Sequence, residues 1–391
     1  MRIMYYPQIS MRSYATGKWL LDSASQLIRM TAMARTLRRK GNYVQWLYVL
    51  PYFSQMDTGT FPGWDYDNIE TFQLGWPENA AASRCWFDLE GMEAAIVRFD
   101  PDVVINEQPE HSVAFKHLQQ TYDFKLVSSY VHVPWYEDDW EYPRWDAIRQ
   151  MSGFCADAVA FQSSMEMAHF LEASGGNLLD MPDNFIWDWL IDMLDHVHSD
   201  KIRTAFDVAV SFTYPGRTSD VARTKFDVVI TAWERFHNLR QNTELRILDP
   251  NQSCGAIEQD GVICDISGSN NKRASYLEKL RKTDVVISLG PTVSIGLAEA
   301  AASGCALITR KQTQTSMRIM EHPSIIEVDL SGDHEAQVDM LLDAMFDACS
   351  LIENRFHDRD KMSRNAIQLW SADSHMDQFY NSMKLLTGEM S

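Results

Sequence analysis

The 391-residue chain has no apolar run approaching the roughly 18 residues that a membrane span needs. It opens on no charged-then-apolar leader either, so a cytoplasmic protein without integral membrane contact is expected. Its six cysteines (Cys85, Cys155, Cys254, Cys264, Cys305, Cys349) form no C-x-x-C and pair with no histidine at metal-ligand spacing. That excludes a zinc framework and a disulfide scaffold, and the thiols read as reduced. Positive charge is scarce: 35 Lys and Arg stand against 54 Asp and Glu, a net charge of -19. A pI near 4.9 argues against charge-driven attachment to a polyanion, although a local basic cleft is compatible with it. No G-x-G-x-x-G is present, so the dinucleotide fingerprint is absent, and no low-complexity segment or short-period repeat interrupts the chain.

What is there is the composition of a globular protein, with 11% aromatic and 23% charged residues. The length fits two domains, each large enough to bury its own core. Short apolar runs alternate with helical patterns along the whole chain. The first run is 1–6, followed by a polar loop and a helix through Leu37 that ends on Arg38, Arg39, Lys40 and Gly41. Further strands are expected at 43–50, 101–106, 125–133 and 155–163, with helices at 88–99 and 164–173. A second series starts at 205–213, with helices at 226–238, 272–282, 294–303 and 335–352. Between them lie strands at 245–248, 263–266, 285–287, 306–308 and 325–330, and 363–386 closes the chain as one helical segment. Strand–helix alternation of this kind specifies an α/β protein with parallel, doubly wound sheets.

The stretch 283–311, TDVVISLGPTVSIGLAEAAASGCALITRK, organises the rest. A buried strand runs into a Gly290–Pro291 turn and then an Ala-rich helix, which Gly304 stops before the next strand. A helix opening at the carboxyl end of a parallel strand presents free N–H groups and the positive end of its dipole, which suits a phosphate. Glu299 lies about one and a half turns into it. Ala300, Ala301 and Ala302 leave room for a flat group, and a carboxylate there can accept hydrogen bonds from both ribose hydroxyls. The plainer alternative is an exposed glutamate on an ordinary crossover helix.

Polar residues gather at other strand ends as well: Glu107, Gln108, Glu110 and His111 after 101–106, and His132 after the strand that begins at 125. Residues 51–84 read as a surface excursion. Its Asp65-Tyr66-Asp67 follows Pro62-Gly63 in a loop instead of closing an apolar strand, so no catalytic metal is assigned to it. The segment 135–145, WYEDDWEYPRW, reads as an acceptor-side loop whose rings stack on sugars, or as a solvated acidic lid.

GLAEAAASGCALIT resembles the motif that ends the nucleotide site of GT-B glycosyltransferases, in particular the retaining group 1 class of glycogen synthases and many lipopolysaccharide and glycolipid transferases. The resemblance implies two Rossmann-like domains facing across a cleft. They would be an acceptor domain at 1–200 and a nucleotide-sugar domain at 201–370, with a helix at 371–391 crossing back to the first. In that family the second Glu of an E-x7-E pattern binds the ribose, and Glu299 occupies its position. The first position, which contacts the donor sugar, holds Pro291.

By the same resemblance Gly216, Arg217 and Lys225 hold the donor diphosphate, with Arg223 a third cation in that loop. Thr292, Val293 and Ser294 form the helix mouth, Gly17 lies in the first loop near the diphosphate, and His132 sits beside the transferred sugar. A hydrogen-bonded core histidine is the alternative for His132, with Glu107, Glu110 and His111 the rival acid/base set. The implied reaction is a metal-independent, retaining transfer from a nucleotide-diphosphate sugar, UDP being the expected nucleotide, with no tightly bound cofactor. The implied acceptor is a glycan, a lipid-linked or a small molecule. Three alternatives stay open. One is a DNA-modifying transferase acting on a hydroxymethylated base, with the basic turn 35–40 meeting the duplex. The others are a nucleotide-sugar 2-epimerase and a degenerate, non-catalytic module.

Overall fold

The computed structural model describes residues 1–6, 25–49, 70–74, 88–130, 142–161, 164–173, 175, 183–187, 191–196, 200–202, 208–213, 225–248, 261–265, 273–290, 295–311 and 322–388. The chain divides into two units. The first takes its described residues from Met1–Gly17, Gln26–Trp189 and Ala372–Ser391, the second from Lys18–Ser25 and Leu190–Ser371.

The first unit runs β1 (Arg2–Tyr6), α1 (Ser25–Arg39), β2 (Tyr43–Val49), β3 (Glu70–Leu74), α2 (Leu89–Phe99), β4 (Val103–Asn106), α3 (Ser112–Leu118), β5 (Lys125–Tyr130), α4 (Tyr142–Gly153), β6 (Ala158–Phe161), α5 (Ser164–Ala173) and β7 (Asp183–Ile186). The strands form one parallel sheet in the order β3-β2-β1-β4-β5-β6-β7. Every residue of β4 and β6 is buried, as expected of strands covered by helices on both faces. Helix α2 starts where the Asp88 carboxylate accepts from Gly91 N at 3.0 Å, and it ends on Asp100 in the left-handed region.

The second unit runs β8 (Val208–Thr213), α6 (Phe226–Leu239), β9 (Thr243–Leu248), β10 (Val262–Asp265), α7 (Arg273–Lys282), β11 (Val285–Ser288), α8 (Ile295–Ala302), β12 (Ala306–Arg310), β13 (Ile325–Val328), α9 (His334–Glu353) and α10 (Arg359–Trp370). Its sheet is also parallel, in the order β10-β9-β8-β11-β12-β13. Helices α6 and α9 bury Trp233, Phe236, Leu341 and Met345 in the core over this sheet. The chain then returns to the first unit as α11 (Met376–Thr387), where Phe379 packs on Trp187 and Gln378 donates to the Ile186 carbonyl.

Several elements differ from the sequence reading. The 51–84 excursion contains β3, recruited as an edge strand because its backbone pairs with Gln45–Val49 of β2. Helix α3, directly after the strand-end cluster, was not foreseen. Residues 142–145, read as part of a loop, are the first turn of α4, a position that tolerates Pro143. The closing helical segment is two helices, broken where Ser371 adopts an extended conformation and bridges to Ile191. Smaller shifts occur at strand ends: Cys155 and Ala156, expected in a strand, are hydrogen-bonded turns off α4.

Gly304, between α8 and β12, has φ +78, and a Cβ there would lie 2.7 Å from the Arg359 carbonyl oxygen. Gly304→Ala is therefore expected to destabilise the second unit by about 2 kcal/mol or more, since it adds backbone strain to a clash with backbone. A thermal or urea melt checks this. Among the described residues no helix is long and apolar enough to cross a membrane.

Candidate active site

In each sheet the strand order reverses once, between β1 and β4 in the first unit and between β8 and β11 in the second. Loops leaving the carboxyl ends of the two strands at such a reversal diverge to opposite faces of the sheet and leave a crevice between them, where open α/β sheets bind ligands.

At the β8/β11 reversal the loop after β8 ends on Lys225, the N-cap of α6, and the loop after β11 leads into α8 with Glu299. Lys225 has φ 56 and ψ 43, a conformation uncommon for a side chain of its size, and it caps α6 without a side-chain hydrogen bond to the helix. Glu299 is 1% exposed, and Ala298, Ala300, Ala301 and Ala302 around it are wholly buried. The reading of Glu299 as an exposed crossover residue therefore does not hold. Glu299 is the one charged residue of α8, set in an otherwise apolar helix. At the other end of β11, Asp284 accepts from Ala209 N at 3.0 Å and pairs with Lys201, which ties β11 to β8.

Behind α8, His357 bonds the Gly304 carbonyl through Nε2 at 2.8 Å and Ser324 Oγ through Nδ1 at 2.7 Å. Since a carbonyl only accepts, Nε2 carries the proton and neutral Nδ1 takes the serine hydroxyl. The His322 ring stands edge-on to it, with centroids 6.2 Å apart. Burial depresses the basicity of both rings. The neighbouring His357 and Lys361 add to the effect at His322, while the Gly304 carbonyl opposes it at His357. Asp358 near both rings and Asp284 near His357 also oppose it, and Arg359 adds to it at His357. A histidine with a folded pKa below its unfolded value of about 6.5 stabilises the fold above that pH, and the contribution is lost as pH falls. The thermal midpoint of the second unit is thus expected to drop below about pH 6.5, less steeply in His322→Asn. Melting curves across pH 7.5 to 5 test it.

The β1/β4 reversal of the first unit holds a buried polar cluster. Glu107, 2% exposed, accepts from Tyr5 Oη at 2.8 Å and Arg29 Nη1 at 2.9 Å. Burial pushes the Glu107 carboxyl up, and the Arg29 cation and Tyr5 hydroxyl oppose that. Burial, together with the Glu107 charge, keeps the Tyr5 phenol protonated well above its ordinary range. Tyr6 Oη meets His111 Nδ1 at 2.9 Å with the rings stacked. Glu110 lies 3.5 Å from Arg149 Nε, and its Oε2 makes no hydrogen bond among the described residues. Asn106, Ser112 and Ser128 form a hydrogen-bonded chain alongside.

Glu107, Glu110 and His111 thus come together at one reversal, and Lys225 and Glu299 flank the other. Gly17, His132, Gly216, Arg217, Arg223, Thr292, Val293, Ser294 and the Asp65-Tyr66-Asp67 motif lie outside the described residues. Sequence reasoning missed Tyr5, Arg29 and Arg149. Arg29 sits in the middle of a helical pattern where an arginine is ordinarily solvated, and only the sheet brings it to a carboxylate 78 residues away.

No protein-family model and no curated protein matches the chain. Solved structures do. A sucrose-phosphate synthase from Thermosynechococcus elongatus superposes with a TM-score of 0.67 at 14% identity, over 98% of this chain and 100% of that one. The E. coli trehalose-6-phosphate protein bound with UDP-2-fluoro glucose gives a TM-score of 0.62 at 10% identity, over 98% and 99%. The fold is GT-B. A protein described as a UDP-N-acetylglucosamine 2-epimerase, from Listeria monocytogenes, shares this GT-B fold at a TM-score of 0.58 and 14% identity, over 100% and 97%. Identity this low carries the GT-B architecture and leaves the chemistry to be argued from the residues.

Proposed function

We propose that the chain is a metal-independent glycosyltransferase that moves a sugar from a nucleotide-diphosphate sugar to a hydroxyl acceptor with retention at the anomeric carbon. The observation that carries this reading is that the buried Glu299 lies in the helix that follows β11, at the same sheet reversal as Lys225. A carboxylate accepts hydrogen bonds from both hydroxyls of a ribose, and a diphosphate is complementary to a helix N-terminus flanked by a lysine. The similarity to a protein bound with UDP-2-fluoro glucose supports UDP as the nucleotide.

In this reading residues 201–370 bind the donor, 1–200 serve the acceptor, and 371–391 return to the first domain. Arg217 and Lys225 hold the diphosphate, whose negative charge grows as the glycosidic bond breaks, so fixed cations lower the barrier. Gly216, Thr292, Val293 and Ser294 supply backbone around it, and Gly17 approaches it from the acceptor domain. His132 lies beside the transferred sugar. Glu107, bound to Tyr5 and Arg29, holds the acceptor-side strand ends together, and Glu110, whose Oε2 faces Arg149 and makes no hydrogen bond among the described residues, is the carboxylate assigned to proton transfer. The acceptor is a glycan, a lipid-linked or a small molecule.

The presence of Glu107, Glu110 and His111 at one sheet reversal favours a 2-epimerase as the second reading, since that reaction needs acid and base groups and no acceptor. Incubation with a panel of radiolabelled nucleotide sugars separates them. Slow hydrolysis, or transfer to a glycan, lipid or hydroxymethylated-DNA acceptor, supports the transferase, and interconversion of the sugar supports the epimerase. Binding without turnover identifies a non-catalytic module. His132→Ala is expected to lose turnover while donor affinity stays within about twofold, since an acid/base group contributes to the transition state and little to the ground state. Full activity in that variant moves the role to Glu110 or His111.

A further inference from the structure

The C-terminal ends of the two helices that flank β11 are held by a single short segment. Ser363 Oγ donates to the Ala302 carbonyl at 2.6 Å, at the end of α8. His357 Nε2 donates to the Gly304 carbonyl at 2.8 Å, two residues past the end of α8. Arg359 Nη1 donates to the Thr283 carbonyl at 2.9 Å and Nη2 to the Leu280 carbonyl at 3.3 Å, at the end of α7. The last carbonyls of a helix have no partner within it, so outside donors fix where the helix ends and how far it slides along its axis. A cation at that end also complements the dipole. Gly304 is the residue that lets the chain pass this close: a side chain there would strike Arg359 backbone.

Glu299 is one helical turn before Ala302 and Ser303, and the Ser303 amide bonds the Glu299 carbonyl at 2.8 Å. Helix α8 has only eight residues, too few to hold a position by its own hydrogen bonds. Axial movement at its pinned end is carried directly to the Glu299 carboxylate.

We propose that the segment 357–363 is a positioning device for Glu299, with Ser363 and Arg359 setting the depth at which that carboxylate meets the nucleotide ribose. This rests on the donor-site reading above. The residues do not touch the ligand. They act through the length and tilt of α8, so their removal raises the donor Kd and KM while leaving kcat nearly unchanged, because the reacting bond lies at the other end of the donor.

The test is a double-mutant cycle read by calorimetry. The probe is whichever of UDP, GDP, ADP and dTDP the wild-type chain binds most tightly, with thermal midpoints measured in parallel. Ser363→Ala is expected to weaken binding about fivefold in the wild-type background and less than twofold in a Glu299→Gln background, because coupled residues are not additive. Ser363→Thr, which keeps the hydroxyl, is expected to restore affinity. Arg359→Gln is the second variant, expected to show the same loss and the same non-additivity.

Equal losses in both backgrounds, or a lower midpoint with unchanged affinity, overturn the positioning role and leave the donor site standing. A Glu299→Gln variant that binds as wild type, or a wild-type chain that binds none of the four nucleotides, overturns the donor-site reading itself. Loss of folding in Arg359→Gln leaves the decision to Ser363→Ala, which deletes only one oxygen.

Discussion

Glu299→Ala is expected to weaken nucleotide-sugar binding by about 10- to 100-fold, the loss that follows when charge-assisted hydrogen bonds to a ribose are removed. The magnitude follows from burial. Glu299 is 1% exposed, so the carboxylate and any hydroxyl it accepts from are both shielded from water. The same substitution in a solvated loop would be screened to a small effect. Calorimetric titration with UDP or a UDP-sugar reads the affinity. A thermal melt of the unliganded variant beside the titration separates loss of the binding contact from loss of the fold. Affinity unchanged in Glu299→Ala, and also in Arg217→Ala, would remove the site assignment.

The largest stability change is expected from Arg29→Ala. It strands Glu107 at 2% exposure without its cation, and breaking one side of a buried pair costs about 3–5 kcal/mol. Tyr5 alone does not compensate, since one neutral hydroxyl replaces a full charge. The variant therefore either melts well below wild type or takes up a proton on Glu107, and the second route makes its stability rise as pH falls. The sign follows from linkage: a carboxyl whose folded pKa is above its unfolded value binds protons preferentially in the folded state, so it favours folding at low pH and loses that contribution as pH rises through the folded pKa. Arg29→Met combined with Glu107→Gln removes both charges at similar volume and is expected to recover most of the loss. Urea melts at pH 5 and pH 8 distinguish these cases, and a small, pH-independent loss in Arg29→Ala would mean that Glu107 is solvated.

The 283–311 stretch was legible because its information is local. The apolar strand, the Gly–Pro turn, the alanine-rich helix and the glycine stop are each defined within a few residues, and α8 and β12 fall within one or two residues of expectation. The first unit was less legible at its elements of marginal pattern. Nothing in residues 70–74 distinguishes a strand from a loop until β2 offers an unpaired edge. The break between α10 and α11 was hidden for a similar reason. Residues 371–375 contain no Gly or Pro, and the helix stops there because Ser371 pairs with Ile191 while the Asp373 carboxylate is taken by Arg39, at 2.8 Å, and Thr36. That ion pair also engages one cation of the basic turn at the end of α1.

By itself the sequence determined the class of fold, two series of alternating strands and helices, and the position of Glu299 within a helix, since periodicity and helix stops act over a few residues. Tertiary structure decided the strand orders, and with them the two reversals. It buried Glu299, paired Arg29 with Glu107, and brought the 357–363 segment to the ends of α7 and α8. These outcomes join residues tens of positions apart, and their energies come from desolvation and from satisfying buried carbonyls and charges, which exist only once the sheets have formed.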